Sequence, residues 1–309
     1  MDFTTRVNIE PAKERLSYSN KILIIGSCFA NEVGGMLKEC GFDVSVNPFG
    51  TLYNPVSISN SIKMLAGNSS FTEKDTIDIS CHKTTFAAEV SDTGERTAHE
   101  TSANSSRYCS FYHHSSFAKE SAAEFLENAN SRLASEQEFF KAADTIIITL
   151  GTSWVFRHIG LNKIVSNCHK IHPAEFNREF LESAQTQNIL EEIANSLPDK
   201  KIIFTVSPIR HLKDGAHGNA ISKASLLLAV EKALQNCINT TYFPAYEIVL
   251  DELRDYRFYA EDMVHPSPVA VRYIFERFKE TFISQECYQK MAQIAKLTRK
   301  AAHIPIAEK

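Results

Sequence analysis

No run of apolar residues in this chain approaches the ~20 that a membrane-spanning helix needs. The opening residues, Met1-Asp2-Phe3-Thr4-Thr5-Arg6, lack the charged-then-apolar layout of a secretory leader. Basic residues are not in excess: 33 Lys and Arg stand against 37 Asp and Glu, a net charge of −4. That balance gives no footprint for nucleic acid and no polybasic patch for a membrane surface. Paired cysteines are missing too. The seven cysteines are odd in number, far apart and without a Cys-x-x-Cys spacing. This speaks against a disulfide framework or a zinc knuckle and for a reducing compartment, so a cytoplasmic protein is expected. There is one tryptophan, no internal repeat and no low-complexity linker.

What remains is ordinary in bulk: 309 residues, 43% apolar and 23% charged, enough for one large α/β domain or two small ones. Five apolar, β-branched runs stand out: Lys21–Ile25, Phe42–Val46, Thr145–Leu150, Lys201–Val206 and Glu247–Leu250. Most are separated by segments of helical spacing. These are Asn31–Leu37, Val56–Leu65 after Pro55, Ala122–Phe140, Ala224–Leu234, and the stretch that opens with Ser267-Pro268. A serine cap followed by proline is a helix start. The tail Gln285–Lys309 also reads as helical before it frays. Continuous apolar strands alternating with helices indicate a parallel sheet covered on both faces. The expected fold is a three-layer α/β/α sandwich on a five-stranded parallel sheet.

One interval is too long for a simple crossover. Roughly a hundred residues separate the second and third strands, where a crossover commonly needs ~30. Its middle, Asn68–Phe117, is rich in Ser, Thr and His. It holds a short alternating run at Thr84–Val90 and a turn signal at Asp92-Thr93-Gly94. It reads as a small β-rich insertion or lid within a single domain spanning residues 1–309. His113-His114 lies there, most simply as part of a solvated loop.

Ligands of an open parallel sheet bind at the carboxyl ends of the strands. The chain places Gly26-Ser27-Cys28, Asn47-Pro48-Phe49-Gly50-Thr51, Gly151-Thr152-Ser153-Trp154 and Ser207-Pro208-Ile209-Arg210-His211 after successive strands, with Glu261-Asp262-Met263-Val264-His265 beyond the fifth. The first puts a hydroxyl and a thiol at a helix N-terminus, where unpaired N–H groups favour negative charge. The bland alternative is that Ser27 merely caps the helix. Asp262 and His265, three apart in a loop, allow the carboxylate to hold Nδ1–H and leave Nε2 as a base. His169 and His172 have metal-like spacing if they lie on a helix. Pro173 and the absence of a suitably spaced carboxylate argue against a metal.

These blocks resemble the GSCFA family, within the SGNH/GDSL hydrolase clan. The name-giving motif stands as Gly26-Ser27-Cys28-Phe29-Ala30. The likeness continues through Asn47–Pro55, Leu150–Phe156, Asn167–Lys170, Ser207–Asp214 and Tyr256–His265, covering about Ile9 to Phe282. The clan's pattern implies that Asp262 and His265 complete a triad and that the Gly50 N–H serves an oxyanion hole. Where the clan carries Gly-x-Asn this chain has Gly151-Thr152-Ser153, so Ser153 would replace the Asn amide. The clan's Gly-Asp-Ser, matched without a gap, puts Cys28 in the nucleophile's place. A slip of one residue makes it Ser27, and both stay open. Asn167, His169, Arg210, His211, Asp214 and Lys223 fall in family motifs and are candidates to line a pocket. Arg210 or Lys223 suits an anionic or sugar substrate, and Trp154 suits stacking on a sugar ring.

The implied activity is acyl transfer, as an esterase or an acyltransferase on a small-molecule or carbohydrate substrate. Neither a metal nor another cofactor is implied, and neither nucleic acid nor a membrane is an expected partner. The rival reading is a non-catalytic carbohydrate-binding or scaffolding protein that keeps the fold, motivated by the missing Asn. The triad also makes a geometric demand: His265 Nε2 within reach of Cys28 Sγ or Ser27 Oγ.

Overall fold

A computed structural model describes residues 4–80 and 106–302. In chain order it contains β1 (Lys21–Gly26), α1 (Cys28–Glu39), β2 (Asp43–Val46), α2 (Pro55–Ala66), β3 (Ile77–Asp78), β4 (Tyr108–Cys109), α3 (Ala122–Ala142) and β5 (Thr145–Leu150). There follow β6 (Trp154–His158), β7 (Lys163–Val165), β8 (Phe176–Phe180), α4 (Ser183–Ser196), β9 (Lys201–Val206), α5 (Gly215–Asn236) and β10 (Thr240–Tyr242). The last elements are α6 (Ala245–Glu247), which runs into a π turn at Ile248–Glu252, then α7 (Pro268–Phe282) and α8 (Tyr288–Ala302).

Five strands form the central sheet in the order β10-β9-β5-β1-β2, and every neighbouring pair is parallel. β1 has β2 on one side and β5 on the other, so the winding direction reverses between β1 and β5. Crevices for ligands open at such a reversal. Alternate residues of the strands feed two separate cores. Leu23, Ile25, Ile146, Ile148, Ile202 and Phe204 face one, with Ile58 of α2, Phe125 of α3, Leu190 of α4 and Leu226 of α5. Ile22, Ile24, Ile147 and Ile203 face the other, with Phe29 and Val33 of α1 and Ile274 and Phe278 of α7. Each such side chain removed from water contributes roughly 1.5–3 kcal/mol. The result is the three-layer α/β/α sandwich that the alternation of strands and helices predicts. Because α1 and α7 follow the rim and pack against each other on one face, the residues just before them, Ser27 and His265, come to the same end of the sheet.

The edge strand differs from expectation. Glu247–Leu250 is helical, within the turn that continues α6, and the fifth strand is the more polar Thr240–Tyr242 beside β9. Ile248 and Val249 bury against the α7 side of the sheet from that turn, which a helical turn satisfies as well as a strand does. A second, three-stranded antiparallel sheet in the order β7-β6-β8 was not foreseen either.

Part of the Asn68–Phe117 segment is described. Ile77–Asp78 pairs antiparallel with Tyr108–Cys109, while the Thr84–Val90 run and the Asp92-Thr93-Gly94 turn lie outside the described residues. His113 is not in a solvated loop. It is 1% exposed, ringed by Phe49, Phe71, Phe117 and Phe125, and its Nδ1 shares a 2.7 Å hydrogen bond with Ser110 Oγ. The aromatic cage excludes water, and burial, with help from the charges of His169 and Arg132, pushes the imidazole down to about 3.

This has a measurable consequence. Unfolded, His113 takes up a proton near 6.5; folded, it refuses one until about 3. Stability from this residue is therefore complete above that window and is lost as pH falls through it, by up to about 1.4 kcal/mol per unit. Urea unfolding at pH 7, 6 and 5 should show the wild type losing stability more steeply than His113→Gln. Parallel curves for the two proteins would show that His113 is not held neutral.

Candidate active site

The rim begins with a crowded contact. At the end of β1, Gly26 has φ +138°, and a Cβ there would lie 2.1 Å from the Thr149 carbonyl oxygen. Only glycine lets the strand pass so close to β5. The Gly26 N–H donates to Asn47 Oδ1 at 2.8 Å, and Asn47 Nδ2 donates to Asn31 Oδ1 of α1 at 2.8 Å. The ends of β1 and β2 and the first turn of α1 are thereby tied together.

Ser27 turns inward. Its N–H donates to Thr149 O at 3.0 Å and Oγ1 at 2.8 Å, and its Oγ lies 3.1 Å from Thr149 Oγ1 and accepts from Phe29 N at 3.3 Å. It is 1% exposed and is the N-cap of α1. Cys28 is the first helical residue, half-buried, and its N–H has no partner among the described residues, as the first turn of a helix requires. Its Sγ lies 3.3 Å from the hydroxyl of Tyr53.

Tyr53 carries no signal of this role in the sequence. It sits in the block after β2, which folds back so that the Leu52 N–H donates to Gly26 O at 2.8 Å. The Tyr53 carbonyl accepts from both Gly151 N and Thr152 N at 2.9 Å. Burial, and then the neighbouring thiol, raise its hydroxyl above the ordinary range, so it stays protonated.

The two donors that the clan's pattern implies are occupied. The Gly50 N–H closes a turn onto Asn47 O at 2.8 Å. Gly50 itself is required for space, because a Cβ would fall 2.3 Å from His114 Cβ at φ +78°. Ser153 is fully buried. Its N–H donates to Ser222 Oγ at 2.8 Å and its hydroxyl to Ser222 O at 3.2 Å. Beside the sulfur of Cys28 stand its own open N–H and the Tyr53 hydroxyl.

The second half of the rim is a locked loop. Asp262 Oδ1 accepts from Val264 N at 2.9 Å and His265 N at 3.0 Å, and Oδ2 meets His265 Nδ1 at 2.6 Å. The two backbone N–H groups first, and the imidazole after them, hold the Asp262 carboxyl down to about 2. Arg210 N donates to Val264 O at 3.1 Å, and Ala260 N to His265 O at 2.8 Å. The imidazole side chain is 45% exposed. Among the described residues no hydrogen bond joins it to Cys28 or Ser27.

Between the halves lies His211. Its ring stands edge-on to Tyr53, 5.8 Å between centroids, and among the described residues its buried Nε2 has no hydrogen-bond partner. Burial first, then the charge of Lys223, push it down to about 4, and His265 adds in the same direction. Lys223 is not a surface hand for substrate. It is 1% exposed, and Nζ donates to Gly151 O and Ser207 O, both at 2.7 Å. It clamps the ends of β5 and β9, and burial brings its amine down to about 7. A neutral amine still has the two N–H groups that this clamp uses.

The remaining candidates disperse. Trp154 holds the small sheet to α5: Nε1 donates to Gly218 O at 3.3 Å, Arg178 lies 4.7 Å over its ring, and Phe180 meets it edge-on at 4.9 Å. Arg178 in turn pairs with Asp214. Asn167 Oδ1 accepts from His169 N at 2.7 Å, and the buried His169 ring bonds Ser110 O at 2.8 Å and Ser115 Oγ at 3.1 Å. These two fasten the 110–115 segment, whose His114 N–H reaches Phe49 O at 2.9 Å, so they act on the rim at a distance. His169 and His172 are not on a helix; His172 caps a short 3-10 turn. Arg210 does face a cavity, beside the Asp262–His265 loop. Among the described residues, no three His, Cys, Asp or Glu side chains cluster as metal ligands, and no helix is long and apolar enough to cross a membrane.

Comparison with curated proteins finds no match. The family model of the GSCFA family matches residues 21–278, from the start of β1 to the last turn of α7, and so spans the sheet, the Cys28 turn and the Asp262–His265 loop. The chain belongs to the GSCFA family.

Proposed function

We propose that this protein is an acyl-transfer enzyme of the SGNH/GDSL type, an esterase or an acyltransferase acting on O-acyl groups of a carbohydrate-type substrate. The observation that carries the reading is the placing of Cys28. It is the first residue of a helix at the sheet's winding reversal, with an open N–H, a protonated tyrosine hydroxyl on its sulfur, and a pre-oriented Asp–His pair on the same rim. Ser27, facing β5 as a cap, is the weaker candidate for nucleophile.

The chemistry follows from these groups. Asp262 holds His265 Nδ1–H, so Nε2 is free to take the Cys28 S–H proton. The thiolate attacks the acyl carbonyl carbon, and the C=O electron pair moves to oxygen. That oxyanion is met by the Cys28 N–H and the Tyr53 O–H, a pair that replaces the donors committed at Gly50 and Ser153. Collapse expels the alkoxide, which leaves as alcohol with the proton from His265. Water or an acceptor hydroxyl, deprotonated by Nε2, then attacks the thioester and returns the thiol. Imidazole and thiol need only close on each other when substrate fills the rim, because catalytic hydrogen bonds are often long in its absence.

The missing Cys28–His265 bond joins the missing Asn in favouring the rival, a binding protein with this fold. Initial rates on a short-chain p-nitrophenyl ester, or on an acyl donor with a sugar acceptor, decide between the two. Cys28→Ala and His265→Ala should each lose activity by several powers of ten, since triad members act as a unit. Ser27→Ala should keep most of it and lose about 1 kcal/mol of stability, the worth of a cap. Full activity in Cys28→Ala would end the proposal.

Tyr53→Phe tests the hydroxyl alone. Loss of an oxyanion donor costs roughly 3 kcal/mol of transition-state stabilisation, so kcat should fall by about two orders of magnitude with KM little changed. An unchanged kcat would remove Tyr53 from the mechanism.

A further inference from the structure

Beside the rim, on the far side of the Pro208–His211 segment, lies a cavity of about 380 Å³, within the ~300–1,000 Å³ range of small-molecule sites. Three tyrosines line it: Tyr246, Tyr256 and Tyr259. Tyr256 is 65% exposed, an unusual state for so large a ring. Into this aromatic wall projects Arg210. Its guanidinium lies 5.5 Å from the Tyr259 ring and 6.0 Å from the Tyr256 ring. One of its N–H groups donates to Met263 O at 3.3 Å. It forms no ion pair among the described residues, although a guanidinium has five N–H donors. The one carboxylate lining the cavity, Asp255, is engaged elsewhere: Oδ1 accepts from Arg257 N at 2.9 Å, and Oδ2 faces Arg257 Nε.

We propose that this cavity is a binding subsite for an acidic sugar, with the carboxylate or phosphate on Arg210 and the ring against Tyr256 and Tyr259. The inference rests on the acyl-transfer reading only for the subsite's purpose, which is to present a hydroxyl or its ester to His265. Each part of the ligand answers a feature of the cavity. An arginine with free fork donors recognises a planar carboxylate or a phosphate in bidentate fashion. Tyrosine faces accept the C–H side of a pyranose while their hydroxyls bond its oxygens. The position is apt because Arg210 is fastened twice to the Asp262–His265 loop: its backbone N–H holds Val264 O and its side chain holds Met263 O. A ligand on the Arg210 guanidinium thus sits beside Met263, two residues from His265 along that loop. Sugar binding and catalytic geometry share one arginine, so filling the cavity also braces the loop.

The test is direct binding, by ligand-observed NMR on the full chain, of D-glucuronate, D-glucose 6-phosphate and D-glucose. At least one acidic sugar should bind the wild type about tenfold or more tightly than glucose, and the better of the two names the anion. Arg210→Ala should bring the acidic sugars to the level of glucose, with Arg210→Lys in between. Tyr256→Ala, on an exposed ring clear of the loop, should weaken all three alike by about threefold or more. If Arg210→Ala fails to melt cooperatively, Tyr256→Ala and Arg210→Lys decide. No preference for acid in the wild type, or a preference untouched by the Arg210 variants, would overturn the subsite. Cys28→Ala is measured alongside and should bind as the wild type does. Failure of the chemistry would then appear as activity in Cys28→Ala with binding intact. Failure of the subsite would appear as absent binding with Cys28-dependent activity intact.

Discussion

The geometry of the rim depends on one close approach, that of Gly26 to Thr149. The strand end passes so near to β5 that a Cβ has no room, and the chain must turn there. Thr149 then takes hold of the next residue with both its carbonyl and its hydroxyl. That fixes Ser27 inward as the cap and delivers Cys28, one residue later, to the open first turn of α1. Sequence order alone leaves Ser27 and Cys28 equivalent. The contact with β5 separates them: Ser27 is buried as the cap, and Cys28 is half-buried in the first turn of α1. The same winding reversal between β1 and β5 is where ligand crevices open in such sheets.

A second constraint holds the rim as a whole. Parallel strands end in carbonyls with no further ladder partner, and here two of these, Gly151 O and Ser207 O, are bridged by the buried Lys223 amine. Burying a lysine is costly unless it hydrogen-bonds and sheds its charge. Here two carbonyls accept from it, and burial lowers its affinity for a proton. The neighbouring His211 is depressed by the same burial and by that lysine. The exposed Asp262 carboxylate, by contrast, is held in its charged form by the Val264 and His265 backbone N–H groups and by the imidazole it faces. Burial sets His211 against taking up a proton, and it is His265 that carries the Asp262 carboxylate on Nδ1.

Most of the architecture was legible because its signals are redundant. Thr145–Leu150 and Lys201–Val206 are six-residue β-branched runs buried on both faces, and Ser267-Pro268 starts a helix by local chemistry alone. Where a signal was short, tertiary context decided. Glu247–Leu250 has the composition of a strand, yet four apolar residues fit a helical turn equally well, and the polar Thr240–Tyr242 took the sheet edge. The small antiparallel sheet escaped notice because it is half-solvated and charged, with Arg157 paired across it to Glu179 at 2.7 Å. In the site, Asp262 and His265 could be read as a pair because three residues in a loop suffice to join them. Tyr53 could not, since only the fold-back of Leu52 onto Gly26 brings it to the thiol. The occupation of the Gly50 and Ser153 donors was equally invisible, because their partners, Asn47 O and Ser222, are set by turn and helix packing.

The central claim is that Cys28 becomes acylated. Brief exposure of the protein to p-nitrophenyl acetate, an acid quench, and intact-mass analysis followed by peptide sequencing test it without knowledge of the natural substrate. The account predicts one acetyl group per chain, located on Cys28, released by neutral hydroxylamine as a thioester is, and absent when His265 is replaced by alanine. An acetyl group on Ser27, or ester turnover with Cys28 unmodified and alkylated without loss of activity, would contradict it.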